Sequence, residues 1–149
     1  MAQSPHGLTL QPLRQDQYPQ VAQWEWGPQP EGTDWRKYAD EMNAPQWRHL
    51  GLYSGASFVG CVSFERIDGH TMAYHVVVAR HSVHPQSLAQ VLLKSAAFFF
   101  QRGLTRLVVE IPKEKRAAAR LALRCGMRED KSSDKERHFT LMKSRQKYG

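Results

Sequence analysis

The chain has 149 residues, of which 41% are hydrophobic and 23% are charged. This size and composition suit one compact domain with its own core, and no internal repeat or low-complexity tract is present. The formal net charge of +7 predicts a surface that attracts phosphates, acidic proteins or nucleic acid, without choosing among them.

The apolar segments and the cysteines argue against a secreted, membrane-spanning, zinc-binding or disulfide-rich protein. The first ten residues contain no apolar segment typical of a signal peptide, and the longest apolar run, Ala96 to Phe100, is too short to cross a bilayer. Cys61 and Cys125 lack the spacing of a zinc site or a disulfide framework. We therefore expect a cytoplasmic protein that has no membrane partner, no metal and two core cysteines.

The first third predicts a strand followed by two helices. Leu8 to Leu13 is a short extended pattern, and Asp16 opens an amphipathic segment. Prolines and glycines from Gly27 to Gly32 end that helix, and a second one fits Asp34 to Met42.

From His49 the hydrophobic period changes to that of strands. Three runs separated by turn residues predict three antiparallel strands, ending in HTMAYHVVVA. Next comes a helix over Ser87 to Arg102, whose predicted inward stripe is Leu88, Val91, Leu92, Ser95, Phe98 and Phe99. The later elements are a strand over Thr105 to Ile111, a helix over Glu114 to Cys125, a short strand near Met127, a last strand over His138 to Met142, and a polar tail from about residue 143.

The order of these elements predicts the fold class. A strand, a long helix and another strand in succession imply a parallel crossover. We therefore expect an α+β (α/β) fold in a single domain over residues 1–149. Its central sheet is mixed but mostly antiparallel, has about six or seven strands, and carries helices on both faces.

The junction between the fourth strand and the long helix is the most informative segment. Ser87 and Gln90 fit a capping box, which predicts that the helix starts close to Ser87. The first turn of a helix presents unpaired amides to an anion, and the small side chains of Ser87 and Ala89 let a phosphate approach the backbone.

The element order and the segment VVVARHSVHPQSLAQVLL resemble the GNAT (GCN5-related N-acetyltransferase) superfamily, and the motif pattern is similar to small phage-encoded members. In that family a strand leads into an [RQ]-x-x-G-x-[GA] loop and then a helix, and this motif falls on residues 84–89. The following family pattern falls on Lys115, Ala118, Ala122, Gly126 and Met127.

The resemblance implies acetyl-CoA as cosubstrate and an amine of a protein or small molecule as acceptor. Backbone groups of Val77, Val78 and Ala79 would bind the pantetheine arm, and Lys115 would stand near the site. The residues that would cradle the pyrophosphate are His84, Pro85, Gln86, Ser87, Leu88 and Ala89.

Transfer to an amine requires a base, and two side chains are candidates for it. Glu65 lies on the third strand and His75 on the fourth, and Tyr74 is a candidate acid. Tyr74 and His75 point to opposite faces of one strand, so at most one of them faces a given cleft. We favour His75, because imidazole exchanges protons near neutral pH.

Two alternatives remain open. Ala122 stands where the family often has a tyrosine that protonates the departing thiolate, which favours a GNAT fold without catalysis that serves as a binding or virion-associated module. Arg116, Arg120 and Arg124 at helical spacing, together with four tryptophans, favour a basic domain that binds nucleic acid or an acidic partner. A homodimer is also left open, as is location in a host cytoplasm or a virion.

Overall fold

A computed structural model of the chain describes residues 7–79 and 83–143, so residues 80–82 of the predicted loop and the tail beyond 143 lie outside the described residues. The described residues form two compact units. One unit takes the chain up to Glu65 and again over His75–Leu88, and the other takes Arg66–Tyr74 and the chain from Ala89 onward.

The first unit contains the early strands and helices that the sequence predicts. A single 3-10 turn over Gln15–Gln17 precedes the first helix. The elements are strand β1 (Leu8–Pro12), helices α1 (Tyr18–Trp26) and α2 (Trp35–Met42), and strands β2 (Trp47–Ser54) and β3 (Ser57–Arg66). Strand β4 (Thr71–Val78) runs through both units.

Local chemistry accounts for where α2 begins. The Asp34 carboxylate accepts hydrogen bonds from the amides of Arg36 and Lys37, both at 3.1 Å. Such an N-cap pairs amides that have no partner inside the helix. The prediction of a helix from Asp34 to Met42 is confirmed, with Asp34 as its cap.

Strands β3 and β4 approach each other closely at Gly60. A Cβ atom at this position would lie 2.7 Å from the carbonyl oxygen of Val77 and 3.0 Å from a side-chain methyl of Val78. Glycine is therefore required here by packing. Beside this contact, Val21 of α1 packs with Cys61 and Val77 in a small buried cluster.

The second unit contains the crossover and the later elements. They are the main part of helix α3 (Pro85–Phe100), strand β5 (Arg106–Pro112), helix α4 (Arg116–Arg124), and strands β6 (Arg128–Asp130) and β7 (Glu136–Met142). β4 pairs in parallel with β5 over Thr71–Ala73, whereas β5 with β7 and β6 with β7 are antiparallel.

In the part of the chain that the structure describes, seven strands have the hydrogen-bonded order β1-β2-β3-β4-β5-β7-β6. This mixed, mostly antiparallel sheet and the four helices of the same residues confirm the predicted α+β class. Within the described residues, no helix is both long and apolar enough to span a membrane.

Two predictions about α3 are wrong. The helix begins at Pro85, so Ser87 lies inside the first turn and does not cap it. Proline is well suited to the first helical position, because it lacks the amide that would have no partner there. Phe98 was also assigned to the inward stripe, but it is 45% exposed, and the Arg102 guanidinium lies 3.5 Å from its ring centroid.

Candidate functional site

A pocket of about 350 Å³ opens in the first unit. Strands β2, β3 and β4 form its floor, and α1 and α2 form its walls. The lining residues are Val21, Glu25, Trp26, Tyr38, Glu41, Met42, Trp47, His49, Cys61, Ser63, His75 and Val77.

Helical spacing explains how α1 and α2 reach the pocket. Val21 and Glu25 are four residues apart on α1, and Tyr38, Glu41 and Met42 are three and four apart on α2. Residues at these spacings lie on one face of a helix. Each helix therefore brings one carboxylate and apolar groups to the same cavity.

His75 is the predicted base, and the structure gives it a carboxylate partner. Its Nε2 lies 2.5 Å from Oε2 of Glu25, a residue fifty positions earlier in the chain. The carboxylate accepts the Nε2 proton, which leaves Nδ1 as the proton acceptor of a neutral ring. The His75 side chain is 52% exposed and lines the pocket, so a molecule that enters the pocket can contact the ring.

A second polar group lies on the same floor. Nδ1 of His49 lies 2.6 Å from the Ser63 hydroxyl, which in turn lies 3.5 Å from the Cys61 sulfur. The Ala79 amide donates to the Val59 carbonyl, so these two residues lie opposite each other beside the end of β4 and the start of β3. In an antiparallel pair each step forward along one strand matches one step back along the other, so Ser63 lies opposite His75. His49, Ser63 and His75 thus form a row across three strands.

Burial changes the acid–base properties of this row and of the wall above it. It lowers the pKa of His49, and the nearby Met42 carbonyl opposes that effect only in part. The Trp47 ring stacks on His49 at 5.3 Å between centroids. Burial, with the negative charges of Glu25 and Glu41 as smaller causes, raises the pKa of Tyr38 to about 12. The His49 ring and the Tyr38 phenol are therefore uncharged near neutral pH.

The other two predicted catalytic residues do not enter this pocket. Glu65 lies opposite Trp47 near the end of β3 and does not line the cavity. Tyr74 points to the other face of β4, where its side chain is buried and its hydroxyl has no hydrogen-bond partner among the described residues. Burial raises the pKa of Tyr74 far above its ordinary value.

The start of α3 is the predicted phosphate cradle. The Gln86 amide donates to Nδ1 of His84 at 3.1 Å, and the Leu88 amide donates to the His84 carbonyl at 3.1 Å. His84 therefore acts as the N-cap that was assigned to Ser87. Pro85 has no amide, so among the first four helical residues only the Ser87 amide is left for a ligand.

The Ser87 side chain is a second polar group at this helix start. It is only 3% exposed, and its hydroxyl has no hydrogen-bond partner among the described residues. A buried hydroxyl without a partner is unfavourable, which makes it a candidate to bind a ligand oxygen.

The edge of β4 presents the backbone groups assigned to the pantetheine arm. The Ala79 amide donates to the Val59 carbonyl at 2.8 Å, so it faces β3. Backbone groups alternate along a strand, so those of Val77 also face β3, and those of Val78 face the opposite edge. Among the three predicted residues, Val78 is the one with both backbone groups on that edge.

The remaining predicted positions lie in the second unit. Ala89 is buried on α3, and its carbonyl lies 3.8 Å from the Cys125 sulfur. Lys115 is exposed at the start of α4. Ala122 is completely buried on α4 and brings no polar group to its surroundings.

Sequence reasoning missed the residues that complete the pocket. Glu25 carries the only signal that was readable in advance, because it lies one helical turn after the inward Val21. The position of His49 and Ser63 in one row with His75 depends on strand register, which the sequence did not specify. Within residues 7–79 and 83–143, no group of three or more histidine, cysteine or acidic residues is placed to hold a metal ion.

Comparison with known proteins gives one family and several similar structures. The model of the acetyltransferase (GNAT) family matches residues 9–127 of this chain. No curated protein sequence matches it significantly.

Two solved structures illustrate the likeness in fold. Campylobacter jejuni N-acetyltransferase PseH in complex with acetyl coenzyme A has a TM-score of 0.75 and 12% identity, and the match covers 92% of this chain and 99% of that one. Vibrio cholerae spermidine N-acetyltransferase in complex with CoA and spermine has a TM-score of 0.68 and 13% identity, covering 91% and 95%.

Proposed function

The chain belongs to the GNAT acetyltransferase family, and from that membership we propose that it transfers the acetyl group of acetyl-CoA to an amine. The observation that carries the proposal is the Glu25–His75 hydrogen bond at the pocket wall. It places a proton acceptor beside a cavity large enough for a small acceptor molecule.

His75 and Glu25 have different roles in the proton transfer. An ammonium group must lose a proton before its nitrogen can attack, and Nδ1 of His75 accepts that proton. Glu25 holds the Nε2 proton, fixes the ring orientation and stabilises the imidazolium that forms. His75 is thus the catalytic base, and Glu25 is the residue that positions it.

The acetyl-CoA molecule supplies the thioester. The outward backbone groups of Val78 suit hydrogen bonds with an extended amide-containing arm, and the Ser87 amide and orphaned hydroxyl suit a phosphate oxygen. PseH and the spermidine N-acetyltransferase, which share this fold, have been solved with acetyl coenzyme A and with CoA. These features support acetyl-CoA as the donor.

The transfer needs no further side chain, because no side-chain acid has to protonate the leaving thiolate. A C–N bond forms between the amine and the acetyl carbon, the C–S bond breaks, and the electron pair leaves on sulfur. A thiol has an ordinary pKa of about 8.5, so its thiolate is a good leaving group. Through water, the thiolate takes the second proton that the nitrogen loses as the amide forms, and His75 returns the first proton to solvent. This route accommodates Ala122, which lacks the hydroxyl of a tyrosine.

The test measures acetyl-CoA binding and turnover separately. We expect millimolar acetyl-CoA to raise the melting temperature, and free thiol to accumulate only when an amine is added. The proposal fails if no amine causes acetyl-CoA to be consumed, whether or not acetyl-CoA stabilises the chain.

A second function has one specific observation in its favour. Ala122 is buried and offers no acid, which is compatible with a GNAT fold that binds acetyl-CoA without using it. Stabilisation by acetyl-CoA with no thiol release across a broad panel of amines would identify this non-catalytic function.

A further inference from the structure

The walls of the 350 Å³ pocket are mainly apolar and aromatic. Trp26 is 62% exposed although it is among the largest apolar side chains of the unit, and it lines the pocket mouth. Its ring meets Tyr38 edge to face at 6.1 Å between centroids and 84° between planes. The two rings form a corner whose free surface is open to a ligand.

We propose that the acceptor is a monocationic arylalkylamine, a primary amine carried on an aromatic body. The inference rests on the proposed function and names the substrate class of the same pocket. The amine lies at the Glu25–His75 pair, and the aromatic body packs into the corner made by Trp26 and Tyr38, with Met42 beside it.

The charges that line the pocket select a cation. Its side chains include Glu25 and Glu41 and no lysine or arginine, although the chain as a whole carries a net charge of +7. A pocket lined by negative side chains attracts a cation locally, even when the protein as a whole is positively charged. An acceptor with a carboxylate close to its amine is therefore disfavoured.

The same side chains disfavour a second positive charge. Glu25 is already bonded to His75, and the other carboxylate of the wall, Glu41, is exposed. A second ammonium beside Glu41 would therefore gain only an ion pair that is screened by solvent, and elsewhere in the pocket it would lie among aromatic and aliphatic groups without a close partner. An aromatic ring gains contact area in the same space.

Binding to the CoA-saturated chain tests this directly, because CoA holds no acetyl group to transfer. Calorimetry would compare phenethylamine, octylamine and heptanediamine, which have equal numbers of heavy atoms, and phenylalanine, which adds a carboxylate. We expect phenethylamine to bind about tenfold more tightly than either heptanediamine or phenylalanine, and more tightly than octylamine. Equal or tighter binding of the diamine would overturn the inference.

Two tryptophans give a matched pair of variants. Both contact Tyr38, at 6.1 Å for Trp26 and 5.4 Å for Trp35, but only Trp26 lines the pocket. Trp26→Ala should remove the preference for phenethylamine over octylamine, and Trp35→Ala should retain it. Loss of the preference in both variants, or in neither, contradicts the proposed contact.

Thiol release from acetyl-CoA in the presence of the same amines separates the two proposals. Tight phenethylamine binding without turnover would leave the pocket inference standing and remove the transferase activity. Faster acetylation of heptanediamine than of phenethylamine would leave the transferase activity standing and remove the arylalkylamine class.

Discussion

The pocket beside His75 and the start of α3 both belong to the first unit, but their polar groups are organised in opposite ways. At the start of α3, two of the three amides in the first four residues are paired within the turn, by the ring and the carbonyl of His84. In the pocket, Glu25 and His75 meet from positions fifty residues apart. Local sequence governs the first region, and packing of helices on strands governs the second.

The difference indicates where substitutions act. A change at the α3 start acts on a few backbone and hydroxyl groups, so its effects should be limited to affinity. A change at the Glu25–His75 pair removes the proton acceptor that the proposed transfer uses, or its partner.

His75→Gln should lower kcat/KM by about a hundredfold to a thousandfold, because it removes the general base. Glu25→Gln should lower kcat by about tenfold and leave the KM for acetyl-CoA unchanged, because the base remains but loses its orientation. Thiol-release kinetics measure both variants.

A control for these variants exists on strand β7. His138 makes an equally short hydrogen bond to a carboxylate, with Nδ1 2.5 Å from Asp130, but it does not line the pocket. His138→Gln should retain full activity. A loss there equal to that of His75→Gln would show that any histidine–carboxylate pair matters, and would remove the special role of His75.

Gly60→Ala should destabilise the protein by about 1–3 kcal/mol, because the added methyl would overlap the Val77 carbonyl and force β3 and β4 apart. Gly69→Ala is the matched control, since a Cβ there has no atom within 4 Å, and its effect should stay within about 0.5 kcal/mol. Denaturant titration measures both. Equal stability of the two variants would contradict the close approach at Gly60.

Ser87→Ala should weaken CoA binding by about tenfold, the effect of one hydrogen bond to a charged oxygen. It should leave the free energy of unfolding unchanged or slightly higher, since the hydroxyl has no partner to lose. Ser95 on the same helix donates to the Val91 carbonyl at 2.9 Å, so Ser95→Ala should leave CoA affinity unchanged. Calorimetry of both variants decides whether the hydroxyl at position 87 reaches the ligand.

The smallest predicted effect is a pH dependence of stability from His49. Its pKa in the folded chain is lower than its ordinary value of 6.5, so the unfolded chain binds the proton more readily. The stabilisation is complete above pH 6.5 and is lost as pH falls through the lower folded pKa. His49→Gln should therefore lose less stability between pH 7.5 and pH 5.5 than the original chain. An identical loss in both proteins would show that the ring is not desolvated.

Part of the fold and of the site was readable from the sequence for physical reasons. Hydrophobic period and turn residues specify strands and helices locally, which is why β1, α2 and the crossover strands were predicted within a few residues. The bounds of α3 were less accurate, because Ser87 satisfies a capping pattern while Pro85 and His84 start the helix two residues earlier. Phe98 was misassigned because helical period alone does not say which side of a broad apolar helix is covered.

The α+β class, the family resemblance and His75 as a candidate base could all be read from the sequence. The folded chain was needed to show that His75 has Glu25 as its partner, and that Glu65 and Tyr74 lie outside the pocket. It was also needed to show that Ser87 has a buried hydroxyl and is not a cap. The reason is that helix packing and strand register bring together side chains that are remote along the chain, whereas sequence periodicity reports only on neighbours within a few turns.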